Sequence, residues 1–259
     1  VYYNAFGYFA AVEKQFNDQH RLALSVLGAP TERGTQQAAT QEVYDLVGNN
    51  YYNPNWGWQS GKRRNARVRN YHEPIAVLNY TYDINDRSQL NVATSVRFGE
   101  NGYSALTCYA GPDPRPDYYR YLPSYSNGTT YGAWLDEAWR ANTDNIRHIN
   151  WGQLYDINRN QEENATYGPG HRSINMIEER HTDQLDWNFY TQFSHTFRNN
   201  SRINGGVNLR RNRTEYYSEV KDLLGGDYWV DIDIFAERDM GGLNPIPYQN
   251  DMEYYEKYG

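Results

Sequence analysis

The sequence predicts an all-β fold of six antiparallel strands, and three observations carry this prediction. Segments in which apolar and polar residues alternate come in pairs, and each pair is joined by a short polar break. The connections between the pairs are very long, so short and long connections alternate along the chain. Mean hydropathy is −0.95, and no run of about 18 or more apolar residues exists, which excludes membrane-spanning helices.

The three strand pairs are predicted from their alternation and from the turn residues between them. The first comprises residues 2–16 and 21–28, the second 74–84 and 88–98, and the third 183–197 and 202–213. The breaks contain Asn and Asp, which tolerate positive φ and bond locally to the backbone. Each pair is therefore expected to form a β-hairpin.

Each predicted strand has an apolar and a polar side. The apolar side carries Leu78, Tyr80, Tyr82, Leu90, Val92, Val96, Phe98, Leu185, Trp187, Phe189, Phe193 and Phe197. The opposite side carries Asn79, Asn91, Arg97, Asp186, Asn188, Asn208 and Arg210. A soluble β-sandwich and a membrane barrel both produce this period of two.

The connection lengths favour the barrel. Residues 29–72, 99–182 and 214–259 connect or follow the hairpins, and compact soluble domains rarely use loops longer than about 15 residues. Transmembrane β-barrels have tight turns on one rim and long extracellular loops on the other. We therefore expect the apolar side to face lipid and the polar side to face a lumen. Known barrels need about eight strands, so six would form part of a larger wall.

The ends of the sequence suggest a fragment. The chain begins VYYNAFGYF, without an initiator Met, a basic segment or an apolar signal segment, and it ends in the Tyr-rich MEYYEKYG. We expect residues 1–259 to come from a longer protein.

Composition and motifs argue against several function classes. The net charge of −7 does not favour binding of nucleic acid, which requires a basic field. The single cysteine, Cys108, excludes an internal disulfide. No HExxH, GxSxG, P-loop or GxGxxG motif is present. We expect no catalytic residues, no metal site, no cofactor and no enzymatic activity.

The predicted loops are rich in aromatic and basic residues. Trp56 and Trp58 lie two apart, so their rings would project to the same side of an extended loop as a platform for a flat ligand. Further candidate ligand contacts are Tyr118, Tyr119 and Trp151. The alternative is that these rings pack inside folded loops. The basic run at 62–69 could bind lipopolysaccharide phosphates or be an ordinary solvated rim.

Three loop segments resemble those of Bacteroidetes-type TonB-dependent outer-membrane receptors, the SusC-like family with a carboxypeptidase-regulatory-like extension. They are YYNPNWGWQSGKRRNARV, DPRPDYYRYLPSY and INWGQLYDINRN. The resemblance implies a barrel of about 22 strands with a plugged lumen, in the outer membrane of a Gram-negative bacterium. It also implies coupling to the TonB complex through an N-terminal region and a SusD-like surface lipoprotein as a lid. Residues 1–259 would be a partial barrel lacking the plug domain, the signal peptide and the C-terminal strand.

The first functional expectation is thus TonB-dependent nutrient uptake, with a ligand captured by the loops and passed through the lumen. The second is a barrel of the same fold that acts as a non-transporting scaffold in an outer-membrane complex. The third is a soluble β-rich glycan-binding module. The sequence leaves the identity of the ligand open.

Overall fold

The computed structural model describes residues 2–109, 111–163, 169–232 and 249–252, and most of them form antiparallel β-sheet. The strands in chain order are β1 (Tyr3–Ala5), β2 (Tyr8–Gln15), β3 (His20–Gly28), β4 (Thr31–Gly34), β5 (Trp56–Gln59), β6 (Lys62–Asn65), β7 (Val68–His72), β8 (Ile75–Asn85), β9 (Ser88–Cys108), β10 (Asn175–Thr196), β11 (Arg202–Asp222), β12 (Trp229–Ile232) and β13 (Gln249–Met252). The α-helices are α1 (Gln41–Val47), α2 (Thr130–Ala141) and α3 (Trp151–Arg159).

The main sheet contains six strand positions in the order of the chain. The first three positions are each split once, into β1 and β2, β3 and β4, and β7 and β8. The pairings run β2–β3–β8–β9–β10–β11 at one end of the sheet and β1–β4–β7–β9 towards the other. Two of the splits contain Pro30 and Pro74, which lack the N–H that a continuous ladder requires.

The three predicted hairpins are confirmed. They are β2–β3, β8–β9 and β10–β11, and each turn contains an Asn whose side chain accepts a hydrogen bond from a backbone amide two residues later. The Oδ1 atoms of Asn17, Asn85 and Asn199 accept these bonds at 2.9, 3.0 and 3.1 Å. The strands are longer than predicted, because β9, β10 and β11 continue for 21 or 22 residues into segments assigned to loops.

The registers confirm the predicted division into two faces. Leu78 pairs with Thr94, Phe98 with Leu185, and Phe189 with Leu209, which places the apolar residues together on what we call the apolar face. The seven polar residues predicted on the other side share the opposite, polar face. Within the described residues no second layer covers the apolar face, and large side chains such as Leu185, Trp187 and Phe193 are exposed.

Many apolar side chains of the connections are buried, in contrast to those of the apolar face of the sheet. They form three clusters, two of which include residues of β10 or β11, and together they make what we call the cap. The clusters comprise Ala66, Ile149, Trp151, Leu154, Ile177 and Leu224; Val43, Leu46, Tyr52, Leu122 and Trp139; and Met176, Val220 and Trp229. The cap therefore has its own core.

Parts of the cap differ from the sequence prediction. The segment AWLDEAWRA lies in α2, and the Oγ1 of Thr129 caps this helix by accepting from the amide of Gly132 at 3.0 Å. The segment INWGQLYDINRN, treated as a loop, forms α3, capped by Asn150. The segment DPRPDYYRYLPSY, also treated as a loop, is partly folded into 3₁₀ turns at Tyr119–Tyr121 and Pro123–Ser126. Within it, Arg115 pairs with Asp113 at 2.7 Å.

The main sheet is open in the described residues. β2 pairs only with β3 and β11 only with β10, so these two strands form its edges. Six positions with two free edges are neither a closed barrel nor a 22-stranded one. Among the described helices, none is long and apolar enough to cross a membrane.

Candidate functional site

The candidate ligand site is a cavity of about 560 Å³ in the cap. It lies almost entirely in the connection between β9 and β10, which folds around it through α2 and α3. A pocket of this size, with apolar and aromatic walls and a few polar groups, is typical of sites for small ligands. Its lining includes Tyr109, Pro112, Pro114, Pro116, Tyr121, Tyr131, Trp134, Leu135, Asp144, Asn145, His148, Asn150, Gln153, Leu154, Ile174 and Asn175.

One wall carries a pair of stacked aromatic rings from α2. Tyr131 and Trp134 lie three residues apart, so they share one face of the helix. Their ring centroids are 5.7 Å apart with an interplanar angle of 19°, and both side chains are at least half exposed. Leu135, which also lines the cavity, and Trp139 are buried in the cap. These buried side chains anchor the helix, and the exposed pair forms a flat surface beside the cavity.

A histidine on the wall is held neutral. Burial lowers the pKa of His148, and the nearby cations Arg147 and Arg63 lower it further. The imidazole packs on the ring of Trp56, with centroids 4.1 Å apart. Its Nδ1 is buried and has no hydrogen-bond partner among the described residues. A buried polar atom left unpaired beside a cavity is available to a ligand or a water molecule.

The five predicted ligand contacts do not line this cavity. Trp56 contacts it indirectly through His148, and Tyr118 does so through Tyr121, whose ring centroid is 5.4 Å away. Trp58 lies next to Trp56 as predicted, at 5.8 Å, but the guanidinium of Arg63 lies over both rings at 5.3 and 5.5 Å. The expected open platform is therefore occupied by the protein itself.

The other two candidates, Trp151 and Tyr119, also lie outside the cavity. Trp151 is fully buried, and Arg64 lies 4.4 Å from its ring, so the structure places this side chain in the core of the cap. Tyr119 is exposed outside the cavity and packs on Tyr118 at 4.7 Å. Tyr131, Trp134 and His148 were not predicted as site residues, although the three-residue spacing of the first two was a usable signal.

The basic run is mostly engaged within the protein. Arg64 pairs with Asp222 and bonds to the hydroxyl of Tyr155 at 3.2 Å. Arg67 lies 5.0 Å from the ring of Tyr103. Lys62 and Arg63, at the exposed end of the β5–β6 hairpin, are the members most accessible to an anionic lipid.

A network of polar side chains lies on the polar face of the sheet, around Asp186. Arg210 donates two hydrogen bonds to this carboxylate, at 2.6 and 3.0 Å, and the Nη2 of Arg97 lies 3.6 Å from it. Asn188 donates to the same carboxylate at 3.4 Å. Asn91 accepts from Thr81 on the neighbouring strand at 3.2 Å. Four of the seven residues predicted to face a lumen thus form one network across β9, β10 and β11.

No group of three or more His, Cys, Asp or Glu side chains in the described residues is arranged to hold a metal ion. Comparison with protein-family models and with curated proteins found no match for this chain, so its resemblance to TonB-dependent receptors stays a prediction.

Proposed function

We propose that this chain forms part of the wall and the extracellular cap of an outer-membrane receptor that captures a ligand for uptake. One observation carries the proposal: the cap buries its apolar side chains, whereas the sheet leaves an apolar face uncovered across six strands. Monomeric soluble proteins rarely expose a contiguous apolar surface larger than a few hundred Å². A lipid bilayer is the environment that such a face fits.

The dimensions of the apolar face suit a membrane. On β10 it runs from Leu185 to the turn at Phe197, about 40 Å along the strand, or about 30 Å across a bilayer at a tilt near 40°. On β9 it runs from Leu90 to Phe98, about 20 Å at the same tilt. Outer-membrane barrels have an apolar band about 25 Å tall. Tyr82 and Phe197 lie beside the short turns, where such barrels place aromatic girdles.

The cavity in the cap and the network around Asp186 would then have separate tasks. The cavity between α2 and α3 would receive the ligand, with the Tyr131–Trp134 surface against a flat or apolar part of it and the amides around it as hydrogen-bonding groups. The network around Asp186 would line the lumen and contact a plug or the passing ligand. Further strands would be needed to close the wall, since barrels have at least about eight.

The TonB complex and a SusD-like lipoprotein enter this proposal from the sequence resemblance alone. The same wall and cap would serve a scaffold that transports nothing, and the identity of the ligand is not part of the proposal.

Quenching of tryptophan fluorescence by brominated lipids tests the membrane placement. Trp187 is the tryptophan on the apolar face, and 40% of its surface is exposed. In bilayers with brominated acyl chains, we expect W187F to remove most of the quenchable emission. W134F is the matched control, because Trp134 is similarly exposed, at 50%, but lies in the cap. Equal quenching of the wild type and W187F, or solubility without detergent, would favour the soluble glycan-binding module.

A further inference from the structure

A depression of about 340 Å³ lies at the end of the apolar face farthest from the hairpin turns, where the strands continue past the apolar residues. Beyond Phe98 and Leu185, the residues on this side of the sheet become acidic. Three carboxylates line the depression, those of Glu32, Glu100 and Glu179. Gly102 leaves room for one of them, since a Cβ there would lie 3.0 Å from the carboxylate of Glu179. This acidic depression is separate from the cavity in the cap and from the polar face.

The depression also contains a histidine with unmet hydrogen-bonding capacity. The side chain of His181 is only 10% exposed, and its ring stacks on Tyr217 with centroids 4.6 Å apart. Neither ring nitrogen has a hydrogen-bond partner in the part of the chain that the structure describes. Nε2 lies 3.9 Å from an oxygen of Glu179 and 3.9 Å from an oxygen of Glu219. A buried polar atom without a partner destabilises the folded state, so an occupant that completes these bonds would be stabilised.

The charges around His181 are unbalanced. On its Nδ1 side the carboxylate of Asp183 lies 3.6 Å away, so three carboxylates surround the ring. Lys221 neutralises one of them by bonding to Glu179 at 2.7 Å. The nearby Glu215 is paired with Arg213. A cation is therefore the class of ligand that this surrounding favours.

We propose that the acidic depression binds a primary ammonium group. Such a group has three donors, which match Nε2 of His181 and an oxygen of Glu179 in the depression and an oxygen of Glu219 beside it. An ammonium nitrogen about 2.8 Å from each acceptor would space the acceptors about 4.6 Å apart in ideal geometry, so the two separations of 3.9 Å from Nε2 would widen by less than about 1 Å on binding. A bare metal ion fits less well, because no three of these groups stand together at coordinating positions.

Two sources of this group are possible, a lipid headgroup and a free amine. The depression lies next to the end of the apolar face, at the level of the lipid headgroups if the proposed membrane placement is correct. The lipid source rests on that placement, whereas binding of a free amine does not.

The test uses the full-length protein in detergent. Native mass spectrometry compares retention of phosphatidylethanolamine with that of phosphatidylcholine, whose quaternary ammonium has the same charge but no N–H donor. Saturation-transfer NMR compares n-butylamine with n-butanol. We expect the primary amine to be preferred in at least one pair, and E179Q to weaken that preference about tenfold. E215Q is the matched control, because Glu215 lies on the same side of the sheet but outside the depression.

H181F provides a second variant, since phenylalanine keeps the stacking on Tyr217 but removes both ring nitrogens; we expect it to abolish the preference. Preference in the lipid pair alone assigns a headgroup, and preference in the amine pair alone assigns a soluble ligand. No preference in either pair, or a preference that E179Q leaves intact, overturns the proposal. Quenching of Trp187 reports on the membrane placement separately.

Discussion

Replacing Trp139 with alanine tests whether the cap is a folded unit with its own core. This indole is fully buried on α2, contacts the ring of Tyr52 edge-on at 6.0 Å, and donates from Nε1 to the carbonyl of Tyr121 at 3.1 Å. Truncating a buried Trp to Ala costs about 3–5 kcal/mol, including the cavity left behind. The lost hydrogen bond also leaves a carbonyl unpaired.

The assay is limited proteolysis of the protein in detergent, with the cleavage sites identified by mass spectrometry. When opening is fast relative to cleavage, the rate follows the population of the open form. At 1.4 kcal/mol per tenfold, a loss of 3–5 kcal/mol raises cleavage within the cap segments 41–66 and 111–159 by about 10²- to 10⁴-fold. Cleavage near the three hairpin turns should not change, because none of the three buried clusters includes a residue from the half of the sheet next to those turns.

W134A is the control, since Trp134 lies on the same helix with half of its surface exposed. We expect its effect to stay within about threefold, as is usual for surface substitutions. If both variants open the cap equally, or if W139A also exposes β8–β11, the assignment of a separate core to the cap is wrong.

Three further predictions concern a turn, a titration and a close backbone approach. N17A removes the acceptor of two amides, both at 2.9 Å, and should destabilise the first hairpin by about 1–2 kcal/mol, measured by hydrogen exchange; D18A, which removes neither bond, is the comparison. H148Q should flatten the pH dependence of cap proteolysis. Because the folded state keeps this imidazole neutral, the unfolded state binds more protons as the pH falls below about 6.5, so wild-type stability should decline there and not above; an unchanged slope in H148Q would assign the effect to another group. G57A should destabilise the closed cap by about 2 kcal/mol or more, since a Cβ at residue 57 would lie 1.9 Å from the carbonyl oxygen of Ile149. G61S is the control: its Cβ lies in open space, so any effect it has reflects backbone strain, and equal proteolysis of the two variants would contradict the clash.

The sequence was sufficient for the hairpins and their faces because both depend on local signals. Alternation fixes which side each residue occupies, and an Asn at each turn fixes the register. Prolines 30 and 74 also marked two of the splits, although we had not predicted splits there.

The cap was less predictable because long-range contacts determine it. The hydroxyl of Tyr52, for example, donates to the carbonyl of Arg147 at 2.9 Å, 95 residues away. Such a contact decides that Trp56 faces His148 rather than solvent, and that Trp151 packs in the core. Aromatic content alone could not separate rings that build a cap from rings that line a cavity.

The order of strands in the sheet has a consequence for how the protein folds. Every neighbouring pair of strand positions is also consecutive in the chain, so each hairpin pairs locally and only the contacts between hairpins must close the long connections. Local pairing lowers the entropy lost on closing each contact and favours rapid folding. Each completed hairpin leaves one free edge as a template for the next, so assembly could proceed in the direction of synthesis, two strands at a time. Insertions within the cap would lengthen one step of this sequence without changing the register of any other.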